Sequence, residues 1–177
     1  ASPFGRTKAS IRHQLAARAA QRLDCPVVYV NQVGGNDELV FDGGSFVMAT
    51  SGEVELQLPT CREAIACWDS TDRSSAATEG TTDSLESTDL EQLFQALVLG
   101  VRDYADKCGF QRALLGLSGG IDSALVAVIA AAALGADRVQ ALLMPSPWSS
   151  IGSIDDAEAL AKRLGMSTKT VPNQDLM

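Results

Sequence analysis

Histidine is almost absent from this 177-residue chain: His13 stands alone. Four cysteines, Cys25, Cys61, Cys67 and Cys108, contain no Cys-x-x-Cys pair, so the usual ligand spacing of a zinc site is missing. Cys25 precedes Pro26 with no adjacent cation to lower its pKa, which argues against a nucleophile. The plain reading is reduced thiols in a cytoplasmic protein. Basic residues are also scarce: 14 Lys and Arg face 22 Asp and Glu, for a net charge of −8. A nucleic-acid partner needs cations against its phosphates, so none is expected. Long apolar runs are lacking as well. The charge-free stretch Ser123 to Ala136 is too short to span a bilayer, and no secretory signal is visible. No membrane association is expected. An initiating Met is missing too, and "ASPFG" reads as a continuation, so the chain is expected to be a piece of a longer one.

The acids that are present are concentrated. Between Asp69 and Glu91 lie seven acids and one base, Arg73, leaving −6 of the −8 in that segment. Residues 69–88, "DSTDRSSAATEGTTDSLEST", have almost nothing apolar to bury against the entropy of ordering, and read as a mobile linker. Before it, residues 8–23 read as an Ala- and Leu-rich helix. The segments 26–31, 45–50 and 53–58 read as strands, with "VGGND" as a turn and Ser51-Gly52 as a tight hairpin turn.

After the linker the period changes. Leu90, Leu93, Phe94, Leu97, Val98, Val101 and Tyr104 line one helical face, with Thr88 and Glu91 as a capping box and Gly109 as a stop. Strand 113–117, helix 122–134, strand 139–143, helix 154–164 (capped by Ser153, ended by Gly165) and a strand near Thr168 follow. Alternating strands and helices imply right-handed crossovers and a parallel sheet, whose ligands bind beyond the strand C-termini.

One such loop carries the chemistry. Gly116-Leu117-Ser118-Gly119-Gly120 fits G-x-S-x-G, the nucleophile elbow of α/β hydrolases, but no histidine follows Ser118 to act as base, so either this is not a hydrolase or its histidine lies beyond Met177. The same loop continues through Ile121, Asp122 and Ser123 as a phosphate cradle. Glycines let backbone N–H groups approach an anion, the helix N-terminus points at it, and Ser118 and Ser123 add hydroxyls. Asp122 would repel bare phosphate unless Mg²⁺ bridges the two. A plainer alternative leaves Asp122 and Ser123 as helix caps. No Lys follows the glycines, so this is not the G-x-x-x-x-G-K-[ST] loop. A cradle without Lys suits the pyrophosphate released when ATP is cleaved to AMP.

"LSGGIDSA" (117–124) resembles the pyrophosphate loop of the N-type ATP pyrophosphatases. "LLMPSPWSSIGSIDDAEALAKRLG" (142–165) is similar to the second strand, loop and helix of NAD synthetases. "CPVVYVNQVGGNDELVFDGGSFVMATSGEV" (25–54) resembles the late part of a nitrilase-type amidase, through Asn31, Gly34, Phe41, Gly43, Ser45 and Gly52. That domain order is the one found in the glutamine-dependent NAD synthetase family. The resemblance implies an α/β protein: part of a nitrilase-like α/β sandwich (1–68), the linker (69–88), and part of a doubly wound parallel sheet of the adenine nucleotide alpha hydrolase kind (89–177). It implies ATP and Mg²⁺ as cofactors, with deamido-NAD and glutamine or ammonia as small-molecule partners, in a homo-oligomeric parent enzyme. Glutamine is hydrolysed at the amidase site. ATP adenylates the carboxylate of deamido-NAD, and ammonia displaces AMP.

By position, Gly116 to Ser123 would contact the ATP phosphates, Asp122 would hold Mg²⁺, and Met144 would lie against adenine. Ser2 and Lys8 of "SPFGRTK" match positions that hold glutamine. The family's amidase Glu, Lys and Cys precede the "SPF" segment, so no catalytic residue is assigned here, and the chain alone is expected to be inactive. Two departures stand out. "SPFGRTK" lacks the usual His after Phe, and Pro147-Trp148 replace what is more often a charged residue and Tyr. A non-catalytic fragment remains the third reading.

Overall fold

A computed structural model describes residues 1–71, 88–145 and 150–172. The chain divides into two compact units, Ala1–Gly100 and Val101–Met177. The bulk of the expected linker, residues 72–87, and residues 146–149 of the "SPWSS" loop lie outside the described residues.

The first unit opens with α1 (Lys8–Leu23), which ends where Asp24 turns left-handed at φ 50° and returns its N–H to the Ala20 carbonyl. Strand β1 (Val27–Tyr29) follows, then β2 (Val33–Asn36), β3 (Leu39–Asp42), β4 (Phe46–Met48) and β5 (Val54–Gln57). Strands β1, β4 and β5 form an antiparallel sheet in the order β1-β4-β5. Alanines Ala16 and Ala20 bring α1 close to this sheet, against buried Phe46 and Met48 and flanking Val27 and Tyr29. Burying a side chain the size of Phe46 or Met48 is worth about 1.5–3 kcal/mol over leaving it in water.

The "VGGND" stretch is a correction. It is not a turn: Val33–Asn36 pairs with Leu39–Asp42 as a hairpin in its own sheet. Two glycines disguised β2, since glycine weakens strands. The true turn is Asp37-Glu38, with Asp37 at φ 51°, the positive φ that two-residue hairpin loops demand. The β4–β5 hairpin stands as expected, with Gly52 at φ 89° and a register irregularity at Val47/Met48.

Helix α2 (Asp89–Cys108) begins where Thr88 Oγ1 accepts from the Glu91 N–H at 3.3 Å. It stops at Gly109, φ 72°, beyond which the Phe110 N–H reaches the Ala105 carbonyl. The expected apolar face is only partly covered. Val98 is buried with Ala96, Leu99 and Ala105, whereas Leu90, Leu97, Val101 and Tyr104 are exposed. Periodicity identifies the helix and its stripe; which part of the stripe is covered depends on what packs there.

The second unit contains β6 (Ala113–Gly116), α3 (Ile121–Leu134), β7 (Val139–Leu143), α4 (Ile151–Leu164) and β8 (Ser167–Thr170). The three strands run parallel in the order β6-β7-β8, with Ala113 opposite Val139 and Gln140 opposite Ser167. Leu117, Val139, Ala141 and Leu143 form the core with Ala127 and Ala130 of α3 and Ala157 and Ala161 of α4. The Arg102 guanidinium donates to the Ala132 and Ala133 carbonyls, satisfying the C-terminal end of α3. Helix α4 starts earlier than expected. Ser150, not Ser153, is its cap: the Ser150 hydroxyl accepts from the Ser153 N–H at 3.1 Å. Gly152 hid this first turn, because glycine costs helices about 1 kcal/mol against alanine.

Candidate functional site

The loop between β6 and α3 lies at the C-terminal end of a parallel strand. Its backbone is locked from within. Ser118 Oγ and Ser123 Oγ lie 3.0 Å apart, the Ser118 N–H donates to Ser123 Oγ (3.2 Å), and the Gly120 N–H donates to Ser118 Oγ (3.3 Å). Ser123 Oγ also donates to the Gly120 carbonyl at 3.0 Å. Gly120 caps α3 in an extended conformation without a side-chain bond. The first-turn N–H groups of Ile121, Asp122 and Ser123 have no carbonyl one turn back inside the helix, as at any helix start. They sit with two hydroxyls on an exposed rim, which is the composition an anion needs.

The two loop glycines are not equivalent. Gly119 has φ 81°, and a Cβ there would overlap the Ser153 carbonyl in the first turn of α4. Glycine is therefore needed at 119 for the close passage of two backbones, before any ligand is considered. A Cβ on Gly120 would only touch Ser118 Oγ at 3.4 Å. Gly116 makes room for Met144, whose Cε lies 3.0 Å from the position a Cβ would take. Met144, half-exposed, borders a cavity of about 200 Å³ with Gly116, Ser118, Pro145, Ser153 and Ile154. The sequence singled out Gly116, Ser118 and Met144. It missed Ser153 and Ile154, whose place here follows from the α4 start that the sequence misread.

Asp122 is exposed in the first turn of α3 and, among the described residues, takes no hydrogen-bond or ion-pair partner. No group of three His, Cys, Asp or Glu could hold a metal among the described residues. Mg²⁺ typically uses one or two carboxylates and completes its shell with phosphate and water, so one free carboxylate beside an anion rim fits that ion.

Among the described residues the elbow reading finds no base. The described partners of Ser118 Oγ are Ser123 Oγ and the Gly120 N–H, while His13 Nε2 is 3.0 Å from Gln57 Oε1 and its ring packs edge-on to Phe46. A fluorophosphonate probe is expected to leave Ser118 unmodified; mass spectrometry showing an adduct there would restore the hydrolase reading.

In the first unit, Ser2 and Lys8 belong to one local structure. Lys8 Nζ donates to the Pro3 carbonyl at 3.1 Å, and Ser2 Oγ accepts from Arg12 Nε at 3.2 Å. The Phe4 N–H joins the Val40 carbonyl at 2.7 Å. Arg12 and Asp42, which the sequence did not single out, form a two-pronged ion pair at 2.9 and 3.0 Å. The signal was faint: Arg12 is one of several arginines on α1, and Asp42 sits thirty residues away. Cys61 lies near the same acid. Burial, then the Asp42 charge, pushes its thiol up to about 11, so it is protonated and a poor nucleophile at neutral pH. No described helix is long and apolar enough to cross a membrane.

Known proteins match both units. The NAD synthase family model covers residues 93–177. A Synechocystis sp. glutamine-dependent NAD(+) synthetase is 51% identical over 177 residues, all of this chain and 32% of the relative. A Rhodobacter capsulatus protein of the same name is 46% identical over 96% of this chain and 31% of its own. The solved Acinetobacter baumannii glutamine-dependent NAD+ synthetase, in complex with adenosine diphosphate, superposes with a TM-score of 0.87 at 39% identity over 99% of this chain and 33% of its own. The Cytophaga hutchinsonii enzyme shares the fold at a TM-score of 0.82 and 20% identity. In sequence and in fold, the chain corresponds to about one third of the length of the glutamine-dependent NAD(+) synthetases.

Proposed function

We propose that this chain forms, within a glutamine-dependent NAD synthetase, the ATP phosphate loop and part of the wall that holds glutamine. Residues 1–68 are the amidase portion, 69–88 the connection and 89–177 the synthetase portion. The observation that supports this most is the self-locked Ser118–Ser123 loop, which leaves the first N–H groups of α3 aimed outward at the end of a parallel sheet. Similarity over the whole chain to a structure with a bound adenine nucleotide supports the same reading.

The parent enzyme is a carbon–nitrogen ligase of the cytoplasm, working as a homo-oligomer on deamido-NAD. Its carboxylate is a poor electrophile, and transfer of AMP from ATP gives it a leaving group. Ammonia from glutamine then attacks the acyl carbon and AMP departs. In this chain, Gly116 to Ser123 hold the β- and γ-phosphates. The α3 N–H groups and the Ser118 and Ser123 hydroxyls stabilise the charge that grows on pyrophosphate as it leaves. Asp122 would hold Mg²⁺, which when bound would neutralise phosphate charge. Met144 lies against the adenine ring, and Ser2 and Lys8 contact glutamine.

The test is calorimetry on a chimera in which this chain replaces the matching stretch of the Synechocystis sp. relative. Asp122→Ala is expected to weaken Mg²⁺-dependent ATP affinity about tenfold or more, the scale of one lost charge-assisted contact. Affinity unchanged by the substitution would remove Asp122 from the metal site.

A further inference from the structure

Side chains of Lys8, Arg12 and Asn31 converge on the short segment Ser2-Pro3. The Arg12 fork spends Nη1 and Nη2 on Asp42 and still reaches the carbonyls of Ser2 (2.9 Å) and Pro3 (3.1 Å). Asn31 Oδ1 accepts from the Ser2 N–H at 2.9 Å, while Asn31 Nδ2 donates to the Ser2 carbonyl at 2.9 Å and contacts Asp42 Oδ1 and the Gly43 carbonyl. The ion pair is nearly dry, with side chains 10% and 7% exposed. Such a pair gains little stability over apolar packing, so its presence calls for another role.

The chemistry at Ser2 supplies that role. A guanidinium donates and never accepts. Arg12 Nε therefore obliges Ser2 Oγ to act as acceptor on that side. The hydroxyl has one proton, and it is left to donate elsewhere. Lys8, tied to the same segment through the Pro3 carbonyl, has two further ammonium protons to offer. A hydroxyl and an ammonium that both donate suit a group that only accepts and is negatively charged.

We propose that Arg12, held by Asp42, is a positioning residue that fixes the Ser2 hydroxyl as a hydrogen-bond donor to the carboxylate of the amino-acid substrate. This rests on the reading of Ser2 and Lys8 as glutamine contacts. Arg12 touches no substrate and acts through Ser2. Lysine cannot replace it, because a point charge lacks the rigid fork that meets Asp42 and Ser2 together.

The experiment uses the same Synechocystis sp. chimera, with Ser2→Ala, Arg12→Lys and the double variant. Glutamine-driven and ammonium-driven NAD formation are both measured. Each single substitution is expected to raise the glutamine KM about tenfold, with kcat held within about twofold and ammonium-driven turnover unaltered. The double variant should match Ser2→Ala alone, since Arg12 works through that hydroxyl. A folding role would instead lower kcat at constant KM, by reducing the number of active molecules, and that result overturns the proposal. So does a double variant whose penalties multiply. A normal KM for Arg12→Lys beside a raised KM for Ser2→Ala refutes the role of Arg12 alone. A silent Ser2→Ala overturns the glutamine reading of Ser2 and this inference with it.

Discussion

Replacing Gly119 with alanine is expected to abolish the nucleotide binding proposed above and to destabilise the second unit by about 2–6 kcal/mol, the sum expected of a left-handed non-glycine and an overpacked contact. The two causes are separate. At φ 81° an L-residue is strained wherever it sits, and here its Cβ would also overlap the Ser153 carbonyl. That neighbour is backbone in the first turn of α4, which cannot swing aside as a side-chain tip could. The loop or the helix start must move, and either movement disturbs the Ser118–Ser123 bond that holds the α3 N–H groups in place. Gly120→Ala is the control, because its Cβ meets only Ser118 Oγ at 3.4 Å and its φ is −85°. Urea unfolding followed by far-UV circular dichroism, with ATP calorimetry beside it, compares the two. Equal behaviour of the two variants would show that the backbone crossing at Gly119 does not govern the loop.

Asp42→Ala is expected to cost the first unit about 3–5 kcal/mol, the range for removing one partner of a buried ion pair. The Arg12 guanidinium keeps the Ser2 and Pro3 carbonyls but loses the counter-charge of Asp42, and Asn31 loses one acceptor. Asp42→Asn should cost less, since it preserves shape and one acceptor oxygen. Replacing both partners, as Arg12→Met with Asp42→Leu, should recover much of the loss, because no charge is then stranded. Hydrogen exchange at the Ser2 and Phe4 amides, which bond to Asn31 Oδ1 and the Val40 carbonyl, reports the segment directly. A cost for Asp42→Ala below about 1 kcal/mol would mean that the pair is as weak as a surface salt bridge.

The sequence by itself determined the elements whose signals are local. Helix α1 and strand β7 stand at the residues their patterns gave, and α2 ends at Gly109 as read. The β6–α3 loop was legible for the same reason: glycines, hydroxyls and the helix start lie within eight consecutive residues. The resemblance carried by that loop and by the flanking strands led to the same enzymes that the sequence and structural comparisons found. Glycine-rich β2 and the first turn of α4 were misread because glycine lowers the local propensity for both strand and helix, while pairing and capping made elsewhere in the fold restore them. Only the tertiary structure decided that Gly119 serves a backbone crossing with Ser153, and that Arg12 pairs with Asp42. Those contacts join residues about thirty apart in the chain. Their energy depends on burial and on the angle of a guanidinium fork, and neither is written in any short stretch of residues.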